Sequence, residues 1–180
     1  MSVGQAYPHD TAELHVTGAA RYVDDHSLPS QSLHLAFGVS SIASGLIKNM
    51  DLSQVYASAG VVAVLSAADL PYANDTSPSV GDEPLLATGE IHYLGQPIFL
   101  VIAKSHDAAR KAARLAKITY DEQRPILTID EALSANSRFE EGPRIYEKGD
   151  AKSAIENAPL RLEGRLELGG QEHFYLEGEA

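Results

Sequence analysis

Seven histidines stand at 9, 15, 26, 34, 92, 106 and 173. No two have the spacing that brings metal ligands together on one helix face, so no local metal site is expected. Cysteine is absent. That excludes disulfides, thiolate nucleophiles, cysteine-ligated zinc and iron–sulfur clusters held by this chain. There is no Gly-rich phosphate loop, no nucleophile elbow and no His-Glu-x-x-His. Asp24 and Asp25 are adjacent; in extended chain their side chains diverge, so they read as a solvated turn and not as an acid–base dyad. The residue types therefore supply neither a catalytic residue nor a metal ligand.

Two glycine-containing stretches remain. Gly95-Gln96-Pro97 runs into an apolar stretch and reads as turn chemistry before a strand. Gly169-Gly170 precedes Gln171-Glu172-His173-Phe174-Tyr175. Paired glycines let a backbone lie close to something bulky, and the neutral amide of Gln171 can donate a hydrogen bond. The same residues also suit a plain turn. Gly170 and Gln171 are thus candidate cofactor contacts, with the turn as the alternative.

Several elements must position these residues. Residues 1–30 are polar and turn-rich and read as extended. Leu33, Leu35, Phe37 and Val39 share one side of a half-buried strand, and Gly45–Asp51 is a second strand. Asp51 or Ser53 is placed to cap a short helix reaching about Ala59. Val61–Leu65 and Ile98–Ala103 are continuous apolar runs, the pattern of strands buried on both faces. Between them, residues 72–90 form a long loop of a kind that is often functional. Ser105 is a good N-cap for a helix to about Ala116. The alanines at 108, 109, 112, 113 and 116 let that helix approach a sheet closely. Lys117–Asp121 returns as a strand, and a short helix begins at Ile129. These elements make an α+β unit over residues 1–135. A linker with a short helix capped by Asp150 follows over 136–158. From 160 to 168, leucine or glycine alternates with Arg161, Glu163, Arg165 and Glu167, the pattern of an amphipathic strand. A lone strand cannot satisfy its backbone groups, so its partner lies in the α+β unit, in another copy or, as is expected, in sequence beyond this chain.

Twenty-five acidic against 14 basic residues give a net charge of −11, and only Arg21 and Lys48 are basic in residues 1–90. Such a surface repels nucleic acid and anionic lipid. No stretch approaches the roughly 20 apolar residues of a membrane span, and the N-terminus lacks a signal-peptide pattern. A soluble cytoplasmic protein without nucleic-acid or membrane partners is expected.

Four stretches, in order, resemble the large subunit of the xanthine dehydrogenase and aldehyde oxidase group of molybdenum hydroxylases. They are Thr17-Gly-Ala-Ala-Arg-Tyr-Val-Asp-Asp25, Pro84-Leu-Leu with Glu90-Ile-His-Tyr-Leu-Gly-Gln-Pro97, Ala108–Ala113 through Ile118-Thr-Tyr-Asp121, and Gly169-Gly-Gln-Glu-His-Phe-Tyr-Leu-Glu177. The last leans towards xanthine dehydrogenase. The resemblance implies an α/β hammerhead domain, a mixed sheet with packed helices, followed from about residue 159 to 180 by the first strand of a molybdopterin-binding domain. It implies hydroxylation of a purine such as hypoxanthine or xanthine with oxygen from water. The electrons would leave through iron–sulfur clusters and FAD on a partner subunit. In the family, the glutamine of Gly-Gly-Gln hydrogen-bonds the apical oxo group of the molybdenum, a role that falls on Gln171. The family's catalytic glutamate and most pterin contacts lie beyond this sequence, so these residues alone are expected to be inactive and to hold no cofactor. Two other functions compete: a stand-alone interaction or assembly domain docking through the acidic N-terminal half, and a small-molecule module using the 72–95 loop. An aldehyde oxidase-type subunit is the alternative within the family.

Overall fold

The two continuous apolar runs lead to one sheet, with an alternating strand at its edge, and the remaining strands to another. The computed structural model describes residues 3–78, 81–138 and 144–171. These fall into two compact units, residues 30–138 and residues 3–29 with 144–171. The first unit holds six strands: β1 (His34–Val39), β2 (Gly45–Asp51), β3 (Val61–Ser66), β4 (Glu90–Ile91), β5 (Pro97–Ala103) and β6 (Lys117–Glu122). They form two three-stranded sheets, ordered β1-β5-β3 and β4-β2-β6. The α+β class is as expected, but every pairing is antiparallel, where one mixed sheet was expected. The physical reason lies in the central strands. β5 is apolar throughout and takes the middle of one sheet, while β2, with Lys48 and Asn49 facing solvent, takes the middle of the other.

The core lies between the β1-β5-β3 sheet and helix α3 (His106–Ala113), which follows the one-turn α2 (Ser53–Tyr56). Ser105 caps α3 as expected, its Oγ accepting from the Ala108 amide at 3.2 Å. Ala109 and Ala112 are fully buried, so the helix rests against Phe99, Val101 and Ala103 of β5. Gly38 of β1 pairs with Phe99. A methyl group at Gly38 would fall inside the Phe99 ring, so the ring occupies the space that a larger residue would need. Gly60, at φ +86°, turns the chain under Ala108, whose Cβ would be 3.2 Å from a Cβ at this position. α4 (Ile129–Ser134) closes the unit, capped by Thr128.

The small side of β1, Ala36 and Gly38, therefore faces the helix. The large side, Leu33, Leu35, Phe37 and Val39, is about half exposed. On that face β3 is only partly buried, at Ala63 and Leu65, where burial on both faces was expected. The reading of residues 1–30 as extended is corrected too. α1 (Ala12–Thr17) forms there, ended by Gly18 at φ +74°, and a 3-10 turn spans Val23–Asp25. In that turn Asp25 Oδ2 accepts from the Tyr22 amide at 2.9 Å, which makes the Asp24–Asp25 pair the expected solvated turn.

In the second unit α5 (Ala151–Glu156) is capped by Asp150 as expected, through Ser153 N at 2.9 Å. The amphipathic strand at 160–168 is not formed. Residues 161–171 have no regular structure, and Leu160, Leu162, Leu166 and Leu168 are at least 80% exposed. Alternation alone cannot make a strand, because each unpaired backbone group keeps its bond to water unless a partner strand replaces it.

Candidate functional site

Gly169, Gly170 and Gln171 lie at the end of the described chain, exposed and without regular structure. Among the described residues, nothing stands within 4 Å of a Cβ built on either glycine. A ligand could therefore meet this backbone without steric conflict, and the Gln171 amide is open to it. The following Glu172–Glu177 of the same motif, with His173, lies outside the described residues.

The second glycine stretch is structural. Gly95 adopts φ +86°, and Gln96 is buried, one of two buried polar side chains among the described residues, with Ser40. Its Oε1 accepts from the His92 amide at 2.8 Å. Its carbonyl accepts from Ser40 N at 2.8 Å, and Gly95 N donates to Ser40 O at 3.0 Å. Ser40 Oγ in turn bonds both polar groups of Ile42. These bonds tie the end of β1 to the start of β5, which is the turn role expected for Gly95-Gln96-Pro97.

The long loop is also held. Asn74 gives both ends of its amide to Leu86, Nδ2 to O at 2.7 Å and Oδ1 from N at 2.9 Å. Thr76 and Glu83 pair across it. Asp75 accepts from Ser77 N at 3.0 Å, and that backbone bond, followed by the Ser77 hydroxyl, holds its carboxyl below the ordinary value. Beside the loop is a cavity of about 430 Å³, lined chiefly by Ile47, Met50, Ala67, Ala87 and Ile98. Of its polar members, Asn74 is engaged as above, and Ser66 Oγ donates to Asp69 at 2.7 Å; the third is Thr88. No titratable side chain lines it, so it offers shape to an apolar group but no acid–base chemistry.

Three described histidines have local partners. His9 bonds Thr11, His15 meets Tyr22 and His92 lies 4.0 Å from Glu90. Among the described residues, no three His, Asp or Glu side chains are placed to hold a metal ion. No helix among them is long and apolar enough to cross a membrane.

Residues 17–124 match the family described as aldehyde oxidase and xanthine dehydrogenase, a/b hammerhead domain. The chain belongs to that family. It is 38% identical over 178 residues to xanthine dehydrogenase 1 of Arabidopsis thaliana, covering 98% of this chain and 13% of that protein. It is 41% identical over 179 residues to aldehyde oxidase 1 of Cavia porcellus, covering 99% of this chain and again 13% of the relative. Among solved structures, the aldehyde oxidoreductase from Desulfovibrio gigas is similar with a TM-score of 0.70 and 28% identity, over 88% of this chain and 20% of that one. Quinoline 2-oxidoreductase from Pseudomonas putida 86 is similar at 0.65 and 29%, over 77% of this chain and 18% of that one. This member of the hammerhead family thus spans about an eighth of the length of the curated relatives it matches.

What the residue types did not reveal is the two-sided apolar sheet. The signal was present, because an apolar run in β5 beside an alternating β1 leaves one large-residue face unclaimed.

Proposed function

We propose that this chain is the N-terminal part of the molybdenum-binding subunit of a xanthine dehydrogenase-like enzyme that hydroxylates hypoxanthine and xanthine to urate with oxygen from water. The observation that carries the reading is identity of 38–41% to xanthine dehydrogenase 1 and aldehyde oxidase 1 across nearly the whole chain. The purine assignment rests on the Gly169–Glu177 motif, with an aldehyde substrate as the alternative. The domains in this reading are a hammerhead over 1–135, a linker over 136–158 and the beginning of the molybdopterin-binding domain over 159–180.

Gly170 and Gln171 fit a contact to molybdopterin-molybdenum, since the glycine backbone is open and the amide exposed. When bound, that group supplies the oxidising chemistry. The chain's own part is to donate a hydrogen bond from the Gln171 amide and to let the backbone approach. FAD and iron–sulfur clusters belong in this reading to a partner subunit, with which the absence of cysteine in these 180 residues is consistent. The 180 residues alone are inactive, and the assembled enzyme works in the cytoplasm.

The test uses the full-length subunit co-expressed with its partner. Gln171→Ala should keep its molybdenum content and lose roughly 10–100-fold in kcat, the worth of one hydrogen bond to a charged group. Unchanged molybdenum with unchanged kcat would remove Gln171 from the site. A kcat/KM higher for hypoxanthine than for an aromatic aldehyde supports the purine reading, and the reverse order supports the aldehyde one.

A further inference from the structure

The outer face of the β1-β5-β3 sheet carries apolar residues on all three strands. Leu35 pairs with Ile102, which pairs with Ala63; Phe37 pairs with Leu100, which pairs with Leu65. These two rows stand side by side on the face opposite Phe99, Val101 and Ala103, which the α3 side covers. The other sheet shows what a solvent face looks like in this protein. There Lys48 and Asp121 pair at 3.4 Å on the outside, while Ile47, Met50, Ile118 and Tyr120 face the core. A sheet exposed to water on one face alternates in that way; a sheet apolar on both faces is one that is covered on both.

We infer that this face is an intrasubunit docking surface, covered by an apolar face of the polypeptide that extends beyond this module in the longer subunit. The inference rests on the reading of the chain as part of such a subunit. Two observations favour that occupant over a second copy. The first is length: the module makes up 20% of the Desulfovibrio gigas chain and 13% of the curated relatives, so most of the polypeptide is available to cover it. The second is area. Leu33, Leu35, Phe37 and Val39 are 48–56% exposed. An aromatic side chain buries roughly 200 Å² and leucine or valine less, so the four leave on the order of 300 Å² open. A stable dimer buries about 800 Å² on each partner, whereas an interface between domains of one chain begins near 600 Å² in total, about half of it on each side.

These 180 residues hold no cysteine, so a thiol placed among them is identified by its own peptide. Phe37→Cys is made in the 180-residue chain and in the full-length subunit. Maleimide labelling at this position is followed by peptide mass spectrometry and normalised to the rate in denaturant. The thiol should react freely in the 180-residue chain and at least 10-fold more slowly in the full-length subunit. Equal rates in the two proteins would overturn the inference. So would protection in the 180-residue chain, whether it grows with concentration, which marks a second copy, or is independent of it, which marks its own 160–168 segment. Hydroxylase activity is measured on the same full-length sample. Activity with a reactive thiol refutes the docking face alone, and a protected thiol without activity refutes the proposed function alone.

Discussion

Gly38→Ala tests how the sheet and helix fit together. The added methyl would enter the ring of Phe99, a fully buried residue at the centre of the sheet. The ring has little room to move, because Ala109 and Ala112 of α3 share the same core. Overpacking a well-packed core costs about 1–3 kcal/mol, and a direct overlap belongs at the upper end. Replacing glycine also restricts the unfolded chain, which returns about 0.4–1 kcal/mol. The net expected loss is about 2 kcal/mol, or a fall in Tm of about 4–8 °C for a chain of this size. Urea unfolding of the 180-residue chain followed by circular dichroism measures it. The decisive version is a double-mutant cycle with Phe99→Leu, which alone removes ring volume and destabilises. In that background the alanine should cost at most about half as much, giving a coupling of about 1 kcal/mol or more. A loss below about 0.5 kcal/mol from Gly38→Ala, or strict additivity, would refute the account of the ring over the glycine.

Three further outcomes follow from the same structure. Ser105→Ala removes the side-chain cap of α3 and should cost about 1 kcal/mol in urea unfolding, with Ser105→Asp close to wild type. Gln96→Leu removes the acceptor of the His92 amide and should cost about 1–3 kcal/mol, measured in the same way. Asp69 is held below its ordinary carboxyl value by the Ser66 backbone amide and then by the Ser66 hydroxyl. A carboxyl depressed on folding contributes stability that is fully present above its unfolded pKa and is lost as pH falls through the lower folded value. The Asp69 carbon chemical shift should therefore titrate with a midpoint below 3.8, and Asp69→Asn should make unfolding less sensitive to acid in that range.

How far the sequence leads depends on whether a local signal decides the outcome. Ser105, Thr128 and Asp150 each stand before a helix and accept from its third amide. Capping is local chemistry, and Ser105 and Asp150 were legible as caps. β5 was legible from its apolar run. The two-residue β4 was not, because Glu90–Ile91 pairs only where β2 arrives beside it. The facing of β1 was also hidden. Alternation reports that two sides differ, and only the Phe99 ring and the alanines of α3 explain why the side with Gly38 is the inner one. The alternation at 160–168 was legible as a pattern but not as a strand, since its partner is set by residues elsewhere. At the candidate site, Gly170 and Gln171 were found through the motif around them and not through geometry, and the open backbone there is compatible with either a turn or a ligand contact.

The most direct test of the central claim is isotope labelling by the full-length subunit assembled with its partner. The purified complex is assayed for molybdenum and then given xanthine in ¹⁸O-water. The expected result is molybdenum bound to the complex and one ¹⁸O in the urate formed. A complex that binds no molybdenum and oxidises neither purine nor aldehyde would contradict the reading of this chain as part of a molybdenum hydroxylase.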